Sequence, residues 1–203
     1  MIKNFFQEKS AIVLLSLFVI RGYCQSPLYE DSIHEYQQHY INTLDVIEQG
    51  ERKYIDFFPA NSTYNLIGAF KRINDTMGFE MNTSSGMKKP YLVYGKVSFV
   101  IDGVGHSLFI YRSKTLMSLE DYKDYLFIPF TDATSGISTY GGGRYIDVSI
   151  QQIKEDSLRI DFNKAYNPYC AYTAGYNCPI PPKENFLKIP IYAGEKNYAK
   201  PYH

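Results

Sequence analysis

Between residues 126 and 196 the chain gathers side chains able to do chemistry into turn-forming surroundings: Asp132, Arg144, Asp161, Asn163, Asn167, Cys170, Cys178 and Glu184. Such groups are costly to bury and easily replaced at a surface, so their concentration marks either a site or a polar knot. Gly141, Gly142 and Gly143 run directly into Arg144. A glycine run lets backbone amides turn toward an anion, and an adjacent guanidinium adds bidentate hydrogen bonds to a carboxylate or phosphate. The bland alternative is a tight loop entering a strand, with Arg144 paired to Asp132, Asp147 or Asp161. Asp161, Asn163 and Asn167 precede Pro168, and they suit a polar ligand, a hard cation held together with Glu184, or a network of turns. The expected ligand contacts are Gly142, Gly143, Arg144, Asp161, Asn163 and Asn167. Asp132, Asp161 and Glu184 are the candidate acids and bases of an enzyme.

Several familiar signatures fail on spacing. The glycines before Arg144 are not followed by the lysine and hydroxyl residue of a phosphate-binding P-loop. Ala133 separates Asp132 from Thr134, which breaks an aspartic-protease loop, and it also stands where a serine-hydrolase elbow needs glycine before Ser135. The run Asp132 to Gly136 reads better as an Asx-turn with hydroxyls capping backbone groups. No spacing matches an EF-hand. His34 and His39 are five residues apart and do not share a helix face, and two thiols with scattered histidines do not make a zinc site. No metal or cofactor is expected.

The N-terminus sets the compartment. Lys3 and Lys9 precede an apolar run, Ala11 to Ile20, about half the roughly 20 residues that span a bilayer. With Gly22 and Cys24 as the small residues of a cleavage site, residues 1–24 read as a secretory signal peptide, leaving residues 25–203 as one domain. Acylation of Cys24 is a weaker alternative, because Tyr23 stands where a small residue is usual. The protein is therefore expected to be exported, periplasmic or secreted, with no membrane span after cleavage. In an oxidising compartment Cys170 and Cys178 are expected to form a disulfide, against inert thiols or a reactive cysteine. Removing the leader takes away Lys3, Lys9, Arg21 and Glu8, so 21 basic and 21 acidic residues become 18 and 20, a net charge of about −2. Without a basic block, nucleic-acid binding lacks its electrostatic footprint. Twenty tyrosines and no tryptophan fit a pleated, half-buried surface, or more sharply a surface on which sugars stack.

These side chains must be carried by a mainly β (α+β) framework. Tyr29, Ile33, Tyr36, Tyr40, Leu44 and Ile47 recur at helical spacing, predicting one amphipathic helix that starts at a Ser32–Glu35 capping box and ends at Gly50. Strands are predicted at 64–73, 79–83, 91–101, 106–111, 126–130, 145–150, 157–162 and 187–192, with Asp102-Gly103 as a hairpin turn. Leu119 to Tyr125 reads as a short helical turn, and Tyr198 to His203 as a frayed tail. The elements imply a bent antiparallel sheet, barrel or sandwich, with the N-terminal helix over an open end or edge.

The ordered segments LFIPFTDATSG, TYGGGRYID, DFNKAYNPYCAY, CPIPPKEN and AGEK, with weaker similarity through YLVYGKVSF, resemble the uncharacterised bacterial and archaeal family known as domain of unknown function 1684. The resemblance implies a shared fold and a shared site region, and carries no activity. Three function classes stay open. They are a module binding a small polar or anionic molecule around Arg144, a hydrolase using Asp132 or Asp161 as general base, and a structural envelope-associated domain. Neither enzyme status nor oligomeric state is decided by the residues.

Overall fold

A computed structural model describes residues 27–200; the leader of residues 1–24 lies outside the described residues. Helix α1 spans Pro27–Thr43. It starts five residues before Ser32, because Pro27 is pre-organised for the first helical turn, and the Ser32 hydroxyl donates to Tyr29 O (3.0 Å) instead of capping. The C-terminal end falls at Thr43. There Arg52 donates to the carbonyls of Asn42 and Leu44 (2.7 and 2.9 Å), satisfying acceptors that another helical turn would have used. Leu44 and Ile47 are buried as expected, but beyond the helix, in a small cluster with Ile55.

The strands are β1 (Asn65–Arg72), β2 (Phe79–Asn82), β3 (Lys88–Ile101), β4 (Val104–Ser113), β5 (Tyr125–Asp132), β6 (Arg144–Ser149), β7 (Ser157–Asp161) and the short β8 (Phe186–Leu187). They form one sheet in the order β6-β5-β4-β3-β1-β7, with β2 added to β3 and β8 to β5. Every pairing is antiparallel except β5 with β8. The β3–β4 hairpin turns on Asp102 (φ 50°) and Gly103 (φ 77°), the two left-handed positions of a tight turn that matches strand twist. The sheet curls into a half-barrel. Its end strands β6 and β7 are not paired with each other, yet both line one depression with Tyr29 and Tyr36 of α1. The helix thus lies along the opening of an unclosed barrel, which settles the choice between barrel and sandwich.

Alternation on the strands makes two buried faces. Leu108, Ile110, Leu126, Ile128, Phe130, Ile146, Val148, Leu158 and Ile160 build the main core, while Met81, Tyr91, Tyr111, Phe127 and Tyr145 form an aromatic layer on the other side. A register shift between Val93 and Gly95 in β3 exchanges the faces along that strand, so that Tyr91 joins the aromatic layer and Val97 the core. β5 carries Pro129, which has no N–H for the ladder, and its pairing with β4 is confined to Tyr111–Phe127. The Asn185 side chain bridges the two strands instead. It accepts from Phe109 N (2.7 Å) and donates to the carbonyls of Phe109 (2.9 Å) and Pro129 (2.7 Å).

Two expectations need correction. The strand predicted at 187–192 stops at Leu187; Pro190 cannot serve a ladder, and the carbonyls of Ile191, Ala193 and Glu195 turn toward Arg144. The predicted frayed tail is docked as far as Lys200. Ala199 N donates to Tyr54 O (3.1 Å), Tyr198 packs edge-on against Tyr54 and Tyr172, and Lys200 pairs with Glu51. The short helical turn at 119–125 is two 3-10 turns, Leu116–Ser118 and Glu120–Tyr122.

Candidate functional site

Arg144 opens β6 with its side chain 0% exposed. Of the three acids that sequence offered as partners, the fold selects Asp132: Nη2 donates to its Oδ2 at 2.7 Å. Nη2 also donates to Ile191 O (3.0 Å), and Nη1 donates to Ala193 O and to Glu195 O (3.3 Å). The Phe130 ring lies 5.2 Å from the guanidinium carbon. Burial pulls the guanidinium below its ordinary pKa, an effect the Asp132 charge opposes. Asp132 is equally enclosed. Its Oδ1 accepts from Thr134 N (2.6 Å), the Thr134 hydroxyl (2.5 Å) and Ile191 N (3.4 Å), so the Asx-turn read from sequence is formed. This is a buried polar knot: four carbonyl and carboxylate acceptors occupy the guanidinium Nη atoms that an anionic ligand would need, while Arg144 Nε and Asn167 Oδ1 are buried without a partner among the described residues.

The glycines serve the same closure. Gly143 has φ 87°, its N–H donates to Tyr140 O (3.0 Å), and a Cβ there would stand 2.6 Å from Phe130 O. Gly142 is exposed one residue earlier, with the Tyr140 ring where its Cβ would be. Asn167, fully buried, donates from Nδ2 to Lys196 O (2.7 Å) and from its backbone to Glu195 Oε2 (2.8 Å). Glu195 itself is wholly buried, its carboxyl taking the Tyr172 hydroxyl at 2.6 Å. Burial raises its pKa to about 7, against the lowering effect of Tyr172, Asn167 and the Arg144 charge. Sequence reasoning passed over Glu195, which sits inside the AGEK segment beside Lys196, where an acid next to a lysine reads as an ordinary surface pair.

Asp161 and Asn163 make a second, separate cluster. Asn163 is buried, with Oδ1 accepting from Asn61 N (2.8 Å) and Nδ2 near Asn61 O, the Tyr29 hydroxyl and Asp161 Oδ1 (each 2.9 Å). Asp161 accepts from the Tyr29 hydroxyl (2.9 Å) and stays half-buried on a depression of about 660 Å³ shared with Arg159, Lys164 and Asp147. Glu184 is not brought to either cluster. It is exposed on another face, beside Phe79, Val93, Phe109 and Tyr111. The hard-cation set of Asp161, Asn163, Asn167 and Glu184 is therefore not assembled, and among the described residues no group of three or more His, Cys, Asp or Glu side chains could hold a metal.

Cys170 and Cys178 form a disulfide with Cα atoms 6.3 Å apart. The bridged loop is tied to the sheet: Ser84 N donates to Cys178 O (2.9 Å), Ile180 N to Asn82 O (2.8 Å), and the Tyr145 hydroxyl to Pro179 O. It becomes one wall of an open cavity of about 380 Å³, whose floor is Tyr91, Phe127 and Tyr145 of the aromatic layer.

Tyr166 and Tyr169 also line a second depression, of about 260 Å³ between α1 and β6, together with Tyr36, Tyr40 and Asp147. Rings run in contact across the two: Tyr91–Phe127 (5.2 Å), Phe127–Tyr145 (5.6 Å), Tyr145–Tyr166 (5.9 Å) and Tyr166–Tyr40 (5.8 Å). The hydroxyls are tied down, which fixes the rings. Tyr125 and Tyr166 both donate to Asp147 Oδ1 (2.8 and 2.7 Å), Tyr36 donates to Lys164 O (3.1 Å), and Tyr40 bonds Tyr172 (2.9 Å), which reaches Glu195. Asp147 is reached by solvent although protein surrounds it on most sides. That enclosure raises its carboxyl pKa, while the Tyr166 and Tyr125 hydroxyls lower it. Its Oδ2 accepts no hydrogen bond from the described residues. A period-two signal was present in sequence, since Tyr145 and Asp147 share one face of β6, as Tyr125 and Phe127 share one face of β5.

The curled half-barrel with its covering helix is the class of architecture that positions these groups. Within it the chain belongs to the family described as "Protein of unknown function (DUF1684)", whose model it matches over residues 51–196. The match begins after α1. The chain is also similar to the solution NMR structure of an uncharacterised protein from gene locus rrnAC0354 of Haloarcula marismortui. Identity is 27%, the TM-score is 0.63, and the likeness covers 83% of this chain and 94% of that one. No curated protein matches the chain. Among the described residues no helix is long and apolar enough to cross a membrane.

Proposed function

We propose that this chain is an exported small-molecule-binding protein, and that its site is the tyrosine groove around Asp147 rather than the loops at Arg144. One observation carries the reading: a solvent-reachable carboxylate with one oxygen held by two tyrosine hydroxyls and the other unengaged, at the floor of an aromatic groove. Ligand sites combine an apolar, ring-lined wall with a few oriented polar groups, and this groove has both. Export rests on the leader read from sequence, and the Cys170–Cys178 bridge is the chemistry such a compartment favours. The test is a metabolite screen followed by tyrosine fluorescence and amide chemical shifts. Hits should perturb residues 145–147 and 166–169, and Asp147→Asn should weaken them. Binding that perturbs only the neighbourhood of Arg144 would return the site to the loops. A measured mass of the exported protein starting at Gln25 checks the leader.

An enzyme is the second reading, favoured by Asp147 and Asp161 lining one depression with the Asp147 pKa raised. Asp132 leaves the list of candidate bases because it is sealed from solvent. Turnover that persists in both Asp147→Asn and Asp161→Asn would remove this reading.

A further inference from the structure

The groove has a chemical bias that narrows its ligand. In the part between α1 and β6 the lining is Tyr36, Tyr40, Tyr166 and Tyr169 with Thr43 and Leu44, and Asp147 is the one carboxyl group among them. Ring faces present the negative side of the aromatic quadrupole, so a cation placed among them is attracted without needing a hydrogen bond. Tyr36 already shows this preference, with Lys164 Nζ 5.3 Å from its ring centroid. The hydroxyls of Tyr36, Tyr40 and Tyr166 are turned to other partners, which leaves their faces as the offered surface. Besides Lys164 at the Tyr36 ring, it is carboxyl groups that bear on these rings. Asp147, Glu195 and Asp161 act on Tyr36, Glu195 on Tyr40, Asp147 on Tyr166, and Asp45 and Asp147 on Tyr169. An anion placed here meets a carboxylate and ring faces, and a neutral sugar leaves the field unused.

Tyr166 and Tyr169 also line the larger cavity, where Leu116, Phe127, Tyr145, Pro168 and Pro179 offer an apolar wall. Lys89 lines that cavity and takes no part in the smaller depression. Building on the groove as the binding site, we infer that its ligand is an organic cation with an apolar body: an amine or quaternary ammonium group seated against Asp147 Oδ2 and the tyrosine faces, its hydrocarbon or ring portion running under the disulfide-bridged loop.

The experiment compares three probes with one alkyl chain and different heads, hexyltrimethylammonium, hexanol and hexanoate, titrated into the oxidised, 15N-labelled protein and followed by amide shifts. The cation should bind about tenfold more tightly than hexanol, as expected of a partly desolvated cation–aromatic contact beside a carboxylate, and hexanoate should bind weakest. Asp147→Asn should reduce the preference for the cation over hexanol to near one. Tyr169→Leu, at a half-exposed ring, should weaken the cation more than hexanol. If hexanol or hexanoate binds as tightly as the cation with shifts at 145–147 and 166–169, the cationic assignment is overturned and the groove stands as the site. If none of the three moves those residues while a screening hit does, the ligand class is again overturned without the groove. If no compound of any class reaches the groove, both readings fall.

Discussion

The Arg144 knot and the Asp147 groove hold the same kinds of group, an acid with hydrogen-bond donors gathered around it, and differ in where the acceptors are spent. At Arg144 the chain itself fills the guanidinium: Asp132 from β5 and three carbonyls from residues 191–195. The result replaces a β-ladder, holding an irregular, proline-containing segment against the sheet. At Asp147 two hydroxyls take one carboxylate oxygen and nothing in the described chain takes the other. A polar cluster sealed from solvent and gripped by the chain's own acceptors is architecture, and one left partly open beside a cavity is available for chemistry.

The largest effect should come from opening the knot. Arg144→Ala is expected to cost about 3–5 kcal/mol, because it strands a buried carboxylate and also deprives three carbonyls of their donor. Asp132→Asn should cost a comparable amount, since one amide oxygen can keep the Thr134 donors at Oδ1 or Arg144 Nη2 at Oδ2 but not both, and the buried guanidinium loses its counter-charge. Urea unfolding gives both numbers. Near-native stability of Arg144→Ala would mean that water enters the knot freely, and the contrast between the two regions would collapse.

Glu195 provides the next test, inside the knot and dependent on pH. Its carboxyl is raised from 4.5 to about 7 by burial, so the folded state holds a proton that the unfolded state releases between those values. Stability from this group is therefore fully present below about pH 4.5, falls as pH rises through about 7, and is flat above. The span corresponds to about 3 kcal/mol. Glu195→Gln, whose amide oxygen still accepts from Tyr172 and Asn167 N, should remove this dependence and gain on the wild type at pH 8. Parallel pH profiles for the two proteins would show that Glu195 is ionised in the fold at all these values.

Much of the framework was legible because it follows from local rules. The Asp102-Gly103 turn, the alternating strands and the amphipathic stripe of α1 each express a period or a backbone constraint carried by neighbouring residues. The 187–192 segment was misjudged because its apolar residues read as a strand, while the partner that claims its carbonyls, Arg144, lies more than forty residues away. The same distance hid the groove. Tyr36, Asp147 and Tyr166 are each unremarkable in sequence, and only the curl of the sheet, which brings β6 and β7 under α1, places them together. Arg144 was conspicuous for the opposite reason: a charged residue after three glycines is unusual locally, and it stands at the entry into β6 with its side chain buried.

Intermediate between the two regions is the bridged loop, which belongs to the groove as a wall and to the fold as a clamp. Closing about nine residues by the Cys170–Cys178 bond contributes roughly 2.5 kcal/mol in the loop-entropy model. The double replacement Cys170→Ser and Cys178→Ser should lower stability by about that amount. Hydrogen exchange should quicken across 168–180 and stay slow at Ile146 and Ile191. Exchange that quickens equally at Arg144 and its carbonyl partners would show the knot and the loop to be one cooperative unit.

The smallest change in stability should accompany the most informative change in charge. Tyr125→Phe and Tyr166→Phe each remove one hydroxyl from a carboxylate that water already reaches, so each should cost no more than about 1 kcal/mol. Their effect on Asp147 has a fixed sign. Enclosure raises its pKa and the two hydroxyls lower it, so deleting either must raise it further, and deleting both must raise it most. A folded-state pKa raised in this way makes the group's contribution present at low pH and lost as pH climbs through the new value, later in the double variant than in the wild type. Side-chain 13C titration of Asp147 reads the shift directly. An unchanged or lowered pKa in the double variant would mean that the hydroxyls do not hold Oδ1, and the groove would then lack the oriented carboxylate that distinguishes it from the knot.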